Sequence, residues 1–228
     1  MDVVGEPRFV IGLNTGSISE IALLGAHCDD IAIGMGATLL TMARARPGLR
    51  VHALVLSGGD GARAAEERAA LTAFCPGADV RLRVLDVPDG MAPAHWGRVK
   101  AELNAFRQTC APELVFGPHR RDAHQDHRML AELLPTEFRD QLILGYEILK
   151  WETDTPTPTV FHPVEPAIAR EKVRLLHEHY PSQLERDWFD EAAFLGLSRL
   201  RGVQCRSGHA EAFVVEKAVI EFAERVGA

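Results

Sequence analysis

The feature that most constrains this chain is an alternation of two kinds of segment. Short runs rich in Val, Ile and Leu recur at Ile21–Ala26 (IALLGA), Val51–Leu56 (VHALVL), Val80–Leu85 (VRLRVL), Leu114–Phe116 (LVF) and Leu142–Ile148 (LILGYEI). Between them lie Gly36–Arg46, Arg63–Phe74, His95–Cys110 and His127–Phe138, each with apolar residues at helical spacing. Strands alternating with helices predict an α/β fold with a mostly parallel sheet wrapped by helices. After Ile148 the pattern changes. Lys150–Pro163 carries three prolines and reads as loop or irregular strand. Helices are expected near Ile168–His179 and Glu191–Leu200, followed by the run AFVVEKAVI. No Gly/Ser linker marks a boundary, so one domain is expected over residues 1–228. Its core would span about residues 20–150, with a C-terminal elaboration, 151–228, closing over the sheet's edge.

Composition excludes several classes. With 46% apolar residues, 25% charged and a formal net charge of −7, the 228-residue chain is expected to be globular and not disordered. Basic residues are interleaved with acids and form no stripe, which argues against nucleic acid as a partner. The opening MDVVGEPRFV lacks the pattern of a signal peptide, and the longest nearly uncharged stretch, Ile31–Met42, is too short to span a bilayer. A cytoplasmic protein without membrane contact is expected. Cys28, Cys75, Cys110 and Cys205 have no short spacings, so neither a disulfide framework nor a zinc ribbon is indicated.

Two polar clusters break the pattern. GAHCDDIAIGMG (Gly25–Gly36) follows the first expected strand, and PHRRDAHQDH (Pro118–His127) follows the fourth. An assumed strand order of 3-2-1-4-5 makes those strands neighbours and turns both clusters onto one crevice. His27 and Asp30 are three residues apart, as are His124 and His127, with Asp29 and Asp126 beside them. Taken singly, Asp29 and Asp30 read as a helix N-terminus, and each histidine as a surface helix residue. Taken jointly, mixed His/Asp clusters at two strand ends do not belong in an apolar core, because buried carboxylates need partners. Imidazole plus carboxylate suits a zinc ion that keeps one position open to water, which implies metal-assisted hydrolysis. Gly34–Gly36 lacks the full glycine fingerprint of a dinucleotide site and reads as close helix–sheet packing.

AHCDD followed by a GxG run resembles the AHPDD signature of the PIG-L/LmbE family of zinc-dependent N-deacetylases, and HQDH resembles its HxDH motif. The SGGDG loop (Ser57–Gly61), Arg63 with Glu66, VPDG (Val87–Gly90) and the YEILKW, YPSQ and HAEAF stretches extend the likeness over roughly Ile21–Phe213. They are similar to a small bacterial carbohydrate-deacetylase branch. The resemblance implies a Zn2+ cofactor, with Fe2+ as the alternative, held by His27, Asp30 and His127. It implies Asp29 as the general base toward zinc-bound water. His124 would be the imidazolium that stabilises the oxyanion or protonates the leaving amine, with Asp126 as its orienting neighbour. The implied reaction removes an N-acetyl group from a small-molecule amino sugar or glycoside of the N-acetylglucosamine kind. The alternatives are a non-sugar amide in natural-product tailoring, or an inactive metal- or ligand-binding relative.

The sequence departs from the family signature at Cys28, where Pro is usual, and at Ile31, where many relatives carry Glu. Cys28 is expected to be a small apolar filler. Around the clusters, Asp60 and Arg63 are candidates for contacts with substrate hydroxyls, and Arg120 and Arg121 for a substrate phosphate or uronate. Trp96, Trp151 and Trp188 are candidates for stacking on sugar faces. Arg201 and Glu211 are expected to be buried partners. The expected whole is a Rossmann-like three-layer α/β hydrolase, and a homo-oligomer is compatible with it.

Overall fold

The computed structural model describes residues 12–13, 15–59 and 61–220. The alternation is realised as β1 (Glu20–Gly25), α1 (Asp30–Ala45), β2 (Arg50–Val55), α2 (Ala62–Phe74), β3 (Asp79–Val84), α3 (Trp96–Arg107), β4 (Leu114–Pro118), α4 (Gln125–Glu137) and β5 (Leu142–Tyr146). The sheet order is β3-β2-β1-β4-β5-β7-β6, and β1 to β5 pair in parallel. It begins with the assumed 3-2-1-4-5. Both faces are covered: Ile21, Leu23, Val51 and Phe116 share a core with residues of α1 and α2, while Ala22, Leu24, Leu54 and Val115 pack with residues of α3 and α4. With no wet face, the strands need no polar alternation, and this is why they read as continuous apolar runs.

The C-terminal segment continues this sheet instead of closing over its edge. Lys150–Thr159 is loop, and only Val160–Val164 forms β6. Two helices, α5 (Pro166–His179) and α6 (Glu191–Gln204), lead to β7 (His209–Val214). β7 pairs antiparallel with β5, and β6 with β7. The ladder satisfies backbone groups that β5 would otherwise leave open. α5 lies against α1 and α2.

Arg201 and Glu211 are both buried but are not partners. Arg201 forks onto Glu147, with Nε donating to Oε1 at 2.7 Å and Nη2 to Oε2 at 2.5 Å. Glu211 accepts from Lys172 Nζ at 2.6 Å and from the backbone N–H groups of Ala37 (3.0 Å) and Thr38 (2.6 Å). Those two donors are available because α1 breaks at Met35, whose φ of −147° and ψ of 21° are not helical. Close packing flanks the break: a Cβ at Gly34 would collide with the Tyr146 ring, and one at Gly36 with Phe74. The glycines therefore serve close approach, as the sequence indicates. Among the described residues no helix is long and apolar enough to cross a membrane.

Candidate metal centre

β1 runs into α1 through a turn built around one carboxylate. Asp30 Oδ2 accepts the N–H groups of Ala26 (2.9 Å) and His27 (2.8 Å). The turn places Asp29 in the left-handed region, at φ 116°, a strain of about 1–3 kcal/mol for a non-glycine residue. Its N–H donates to the buried Glu67 at Oε2, 2.9 Å away, and its side chain makes no helix-capping bond. Arg63 Nη2 donates instead to Asp29 Oδ2 at 2.9 Å, and also to the Cys28 carbonyl. Arg63 Nη1 reaches Ser182 Oγ at 2.6 Å. Arg63 thus braces Asp29 while its side chain stays 29% exposed.

At the end of β4 the loop 119–123 delivers His124 as the N-cap of α4, and His127 follows one turn later. The two clusters meet. His27 Nδ1 lies 3.0 Å from His127 Nε2 and 3.6 Å from Asp30 Oδ2, and His127 Nε2 lies 3.3 Å from the same oxygen. A tetrahedral zinc with bonds of about 2.0–2.1 Å spaces its ligands about 3.3 Å apart. The remaining nitrogens are backed by carboxylates, as metal-binding imidazoles generally are. His27 Nε2 sits 3.2 Å from Asp126 Oδ2 and 3.0 Å from Asp89 Oδ1, and His127 Nδ1 sits 2.9 Å from Asp122 Oδ2. The residues present therefore fit a divalent metal. The nitrogens of His27, His124 and His127 also fall within 4.8 Å of one another, so His124 borders the same space.

One expected contact differs. Asp126 does not orient the His124 ring through its carboxylate. That carboxylate accepts the N–H groups of Gly90 (2.8 Å) and Ala92 (3.0 Å) and backs His27. The Asp126 backbone N–H donates to His124 Nδ1 at 3.3 Å. That nitrogen is consequently bare, and the ring's proton sits on Nε2, an assignment inferred from the hydrogen bond. His124 thus turns Nε2 toward the space it shares with His27 and His127. Burial, followed by the charges of His127 and His27, holds its pKa below the usual value.

Carboxylates crowd the histidines of the cage and favour positive charge on them. Burial alone would lower His27, but hydrogen bonds to Asp126, Asp30 and Asp89 push it up to about 12. His127 is likewise lowered by burial, but raised overall to about 9 by Asp30 and Asp122. Burial works to raise Asp30, yet His127 and His27 hold it well below the carboxylate range. Asp29 rises to about 6, through burial and the Asp30 charge, with Arg63 opposing. A bound cation would supply that charge in place of protons.

Other candidates are placed elsewhere. Arg120 pairs with Glu216 at 2.9 Å and Arg121 is exposed. Asp60 lies outside the described residues. Cys28 is buried with Sγ 3.4 Å from the Ser57 carbonyl, a filler as expected. Ile31 is fully buried and packs on Gly25. Trp96 and Trp151 are exposed, and the Trp151 ring meets Trp188 edge-on at 6.1 Å. Sequence reasoning gave no role to Asp122 or Asp89, although both stood inside quoted motifs. It also passed over Glu67 and Lys150, which carry no local signal.

The family model described as PIG-L, GlcNAc-PI de-N-acetylase, matches residues 22–136, half of the chain. The chain belongs to the PIG-L family. Solved structures share the PIG-L fold at low identity. An N,N'-diacetylchitobiose deacetylase from Pyrococcus horikoshii is 18% identical with a TM-score of 0.69, covering 87% of this chain and 84% of that one. The zinc-inhibited form of teicoplanin deacetylase Orf2 is 18% identical with a TM-score of 0.65, covering 88% and 100%. GalB, the 4-carboxy-2-hydroxymuconate hydratase from Pseudomonas putida KT2440, is 15% identical with a TM-score of 0.64, covering 92% and 100%. Two deacetylases and a hydratase thus share this architecture, which by itself does not fix the reaction.

Proposed function

We propose that this protein is a metal-dependent N-deacetylase that removes an acetyl group from an amino sugar or glycoside. The observation that carries this reading is the triangle of His27 Nδ1, Asp30 Oδ2 and His127 Nε2, with separations of 3.0, 3.3 and 3.6 Å. We assign these three as the metal ligands, with zinc preferred and iron(II) as the alternative. When bound there, the metal would polarise the amide carbonyl and acidify water near neutral pH.

The chain's own groups divide the remaining work. Arg63 occupies Asp29 Oδ2, which leaves Oδ1 to accept a proton from the attacking water. Asp29 serves as general base, and a carboxylate between the usual range and neutrality suits that task. His124 presents its Nε2–H to the oxygen that becomes charged as the amide carbon turns tetrahedral, and the proton that Asp29 takes from the water passes to the leaving amine as the C–N bond breaks. Asp126 keeps the His27 ring in place and anchors the loop at Gly90 and Ala92.

The test begins with metal content, measured by mass spectrometry on tag-free protein, followed by acetate release from N-acetylated sugars. About one zinc or iron per chain together with acetate release is the expected result. Asp29→Asn should retain the metal and lose about 10²–10⁴-fold in turnover. A parent chain that neither carries nor takes up metal overturns the reading. Acetate release only from non-sugar amides would keep the machinery and correct the substrate.

A further inference from the structure

Behind His127 lies a chain of charged groups that the proposed reaction does not explain. Asp122 is fully buried, and one of its oxygens serves two partners. Oδ2 is 2.9 Å from His127 Nδ1 and 3.0 Å from Lys150 Nζ, while Oδ1 accepts the His124 N–H at 2.8 Å. One carboxylate thus sets both histidines of α4. The Lys150 side chain is itself only 10% exposed. Its ammonium has three donors and three acceptors: Asp122 Oδ2, Asp154 Oδ2 at 2.6 Å and the Ile148 carbonyl at 3.3 Å. Asp154 Oδ2 also accepts the Ala123 N–H at 2.6 Å.

The result is a strap. Residues 150–154 leave β5 and are stitched onto the loop that carries His124. The strap's Trp151 bonds Asp187 through Nε1 at 2.7 Å and lies under the Arg186 guanidinium, 5.6 Å from its carbon. A surface lysine would have no need of this burial. An ammonium taken out of water persists only where its partners offset the desolvation, and here both partners are carboxylates tied to the metal-ligand loop.

We propose that Lys150 is a positioning residue: it locks Asp122 against His127 and couples the 150–154 strap to the metal centre. Asp122 Oδ2 faces the Lys150 ammonium and His127 Nδ1 together, and the ammonium holds it where His127 Nε2 is turned toward His27 and Asp30. Coupling is reciprocal, so metal should order the strap as much as the strap orders the ligand. This rests on the metal-site reading above, but its test is separate from it.

The experiment uses the full chain, stripped of metal and titrated with zinc against a competing chelator. Lys150→Met should weaken zinc binding about 10–100-fold, the range typical when a partner behind a metal ligand is lost, and Lys150→Arg should recover most of it. Asp154→Asn, which keeps an acceptor for Ala123, should weaken binding several-fold and serves if Lys150→Met does not fold. Hydrogen exchange gives a readout independent of activity. Zinc should slow exchange of the 150–154 amides in the parent and not in Lys150→Met or Asp154→Asn. The inference is overturned if a folded Lys150→Met, or Asp154→Asn in its place, binds zinc as the parent does, or if zinc leaves the parent's strap unchanged. A parent that binds no zinc at all would overturn the metal-site reading itself.

Discussion

His124 and His127 stand three residues apart on one helix, yet their surroundings assign them different work. His127 is backed by Asp122 and faces His27 and Asp30, whereas His124 spends Nδ1 on the Asp126 N–H and keeps one donor free. His127→Ala should therefore lose metal and turnover together. His124→Ala should keep the metal and lose about 10²–10⁴-fold in turnover, with metal stoichiometry and acetate release measured on the same samples. A metal-free His124→Ala beside a metal-replete His127→Ala would reverse the assignment. At this scale the meeting of the two His/Asp clusters was legible, because such clusters after two expected strands are hard to place otherwise. Their supports were not. Glu67 reads as one more charge in a helical AAEERAA run, and only burial against Asp29 and Tyr180 makes it special. Lys150 follows a strand at the protein's rim and looks like solvated charge until Asp122 and Asp154 are seen around it.

Among the elements, α1 shows how one break joins the two ends of the chain. The collisions that forbid a Cβ at Gly34 and Gly36 come from Tyr146 on β5 and Phe74 on α2. The non-helical Met35 between them exposes the N–H groups of Ala37 and Thr38, and Glu211 of β7 takes both along with the Lys172 ammonium. Glu211→Ala would strand two buried donors and a cation, at a cost of about 3–5 kcal/mol by analogy with broken buried pairs. Glu211→Gln should cost less, since the amide oxygen still accepts. Chemical denaturation of the three chains checks the order, and equal stability would show that the capping contributes nothing. The presence and type of β1 to β5 and of the helices between them followed from apolar periodicity. β6 and β7 did not, because their pairing depends on the free edge of β5 and not on any pattern of their own.

For the whole molecule, the charge balance of the cage predicts how metal and pH act together. A protonated His127 with a pKa near 9 stabilises the metal-free chain fully below the ordinary histidine value of about 6.5, and that contribution is lost as pH rises through about 9. Metal needs the neutral ring. Added zinc should therefore raise the melting temperature by an increment that grows between about pH 6.5 and pH 9. Melting curves with and without zinc measure this, and an increment that shrinks over that range would mean that no proton is displaced. The strand order was assumed and proved right in its first five places, since sequential βαβ units leave few alternatives. What the amino-acid sequence determined by itself was local: the alternation that makes a parallel sheet, the glycines that permit close approach, and the residues dense enough in His and Asp to ask for a cation. What only the tertiary structure decided was who faces whom: Arg63 on Asp29, Asp126 behind His27, Lys150 holding Asp122. Those pairs join residues far apart in the chain, and their energies come from burial and shared partners, neither of which leaves a periodic trace in the sequence.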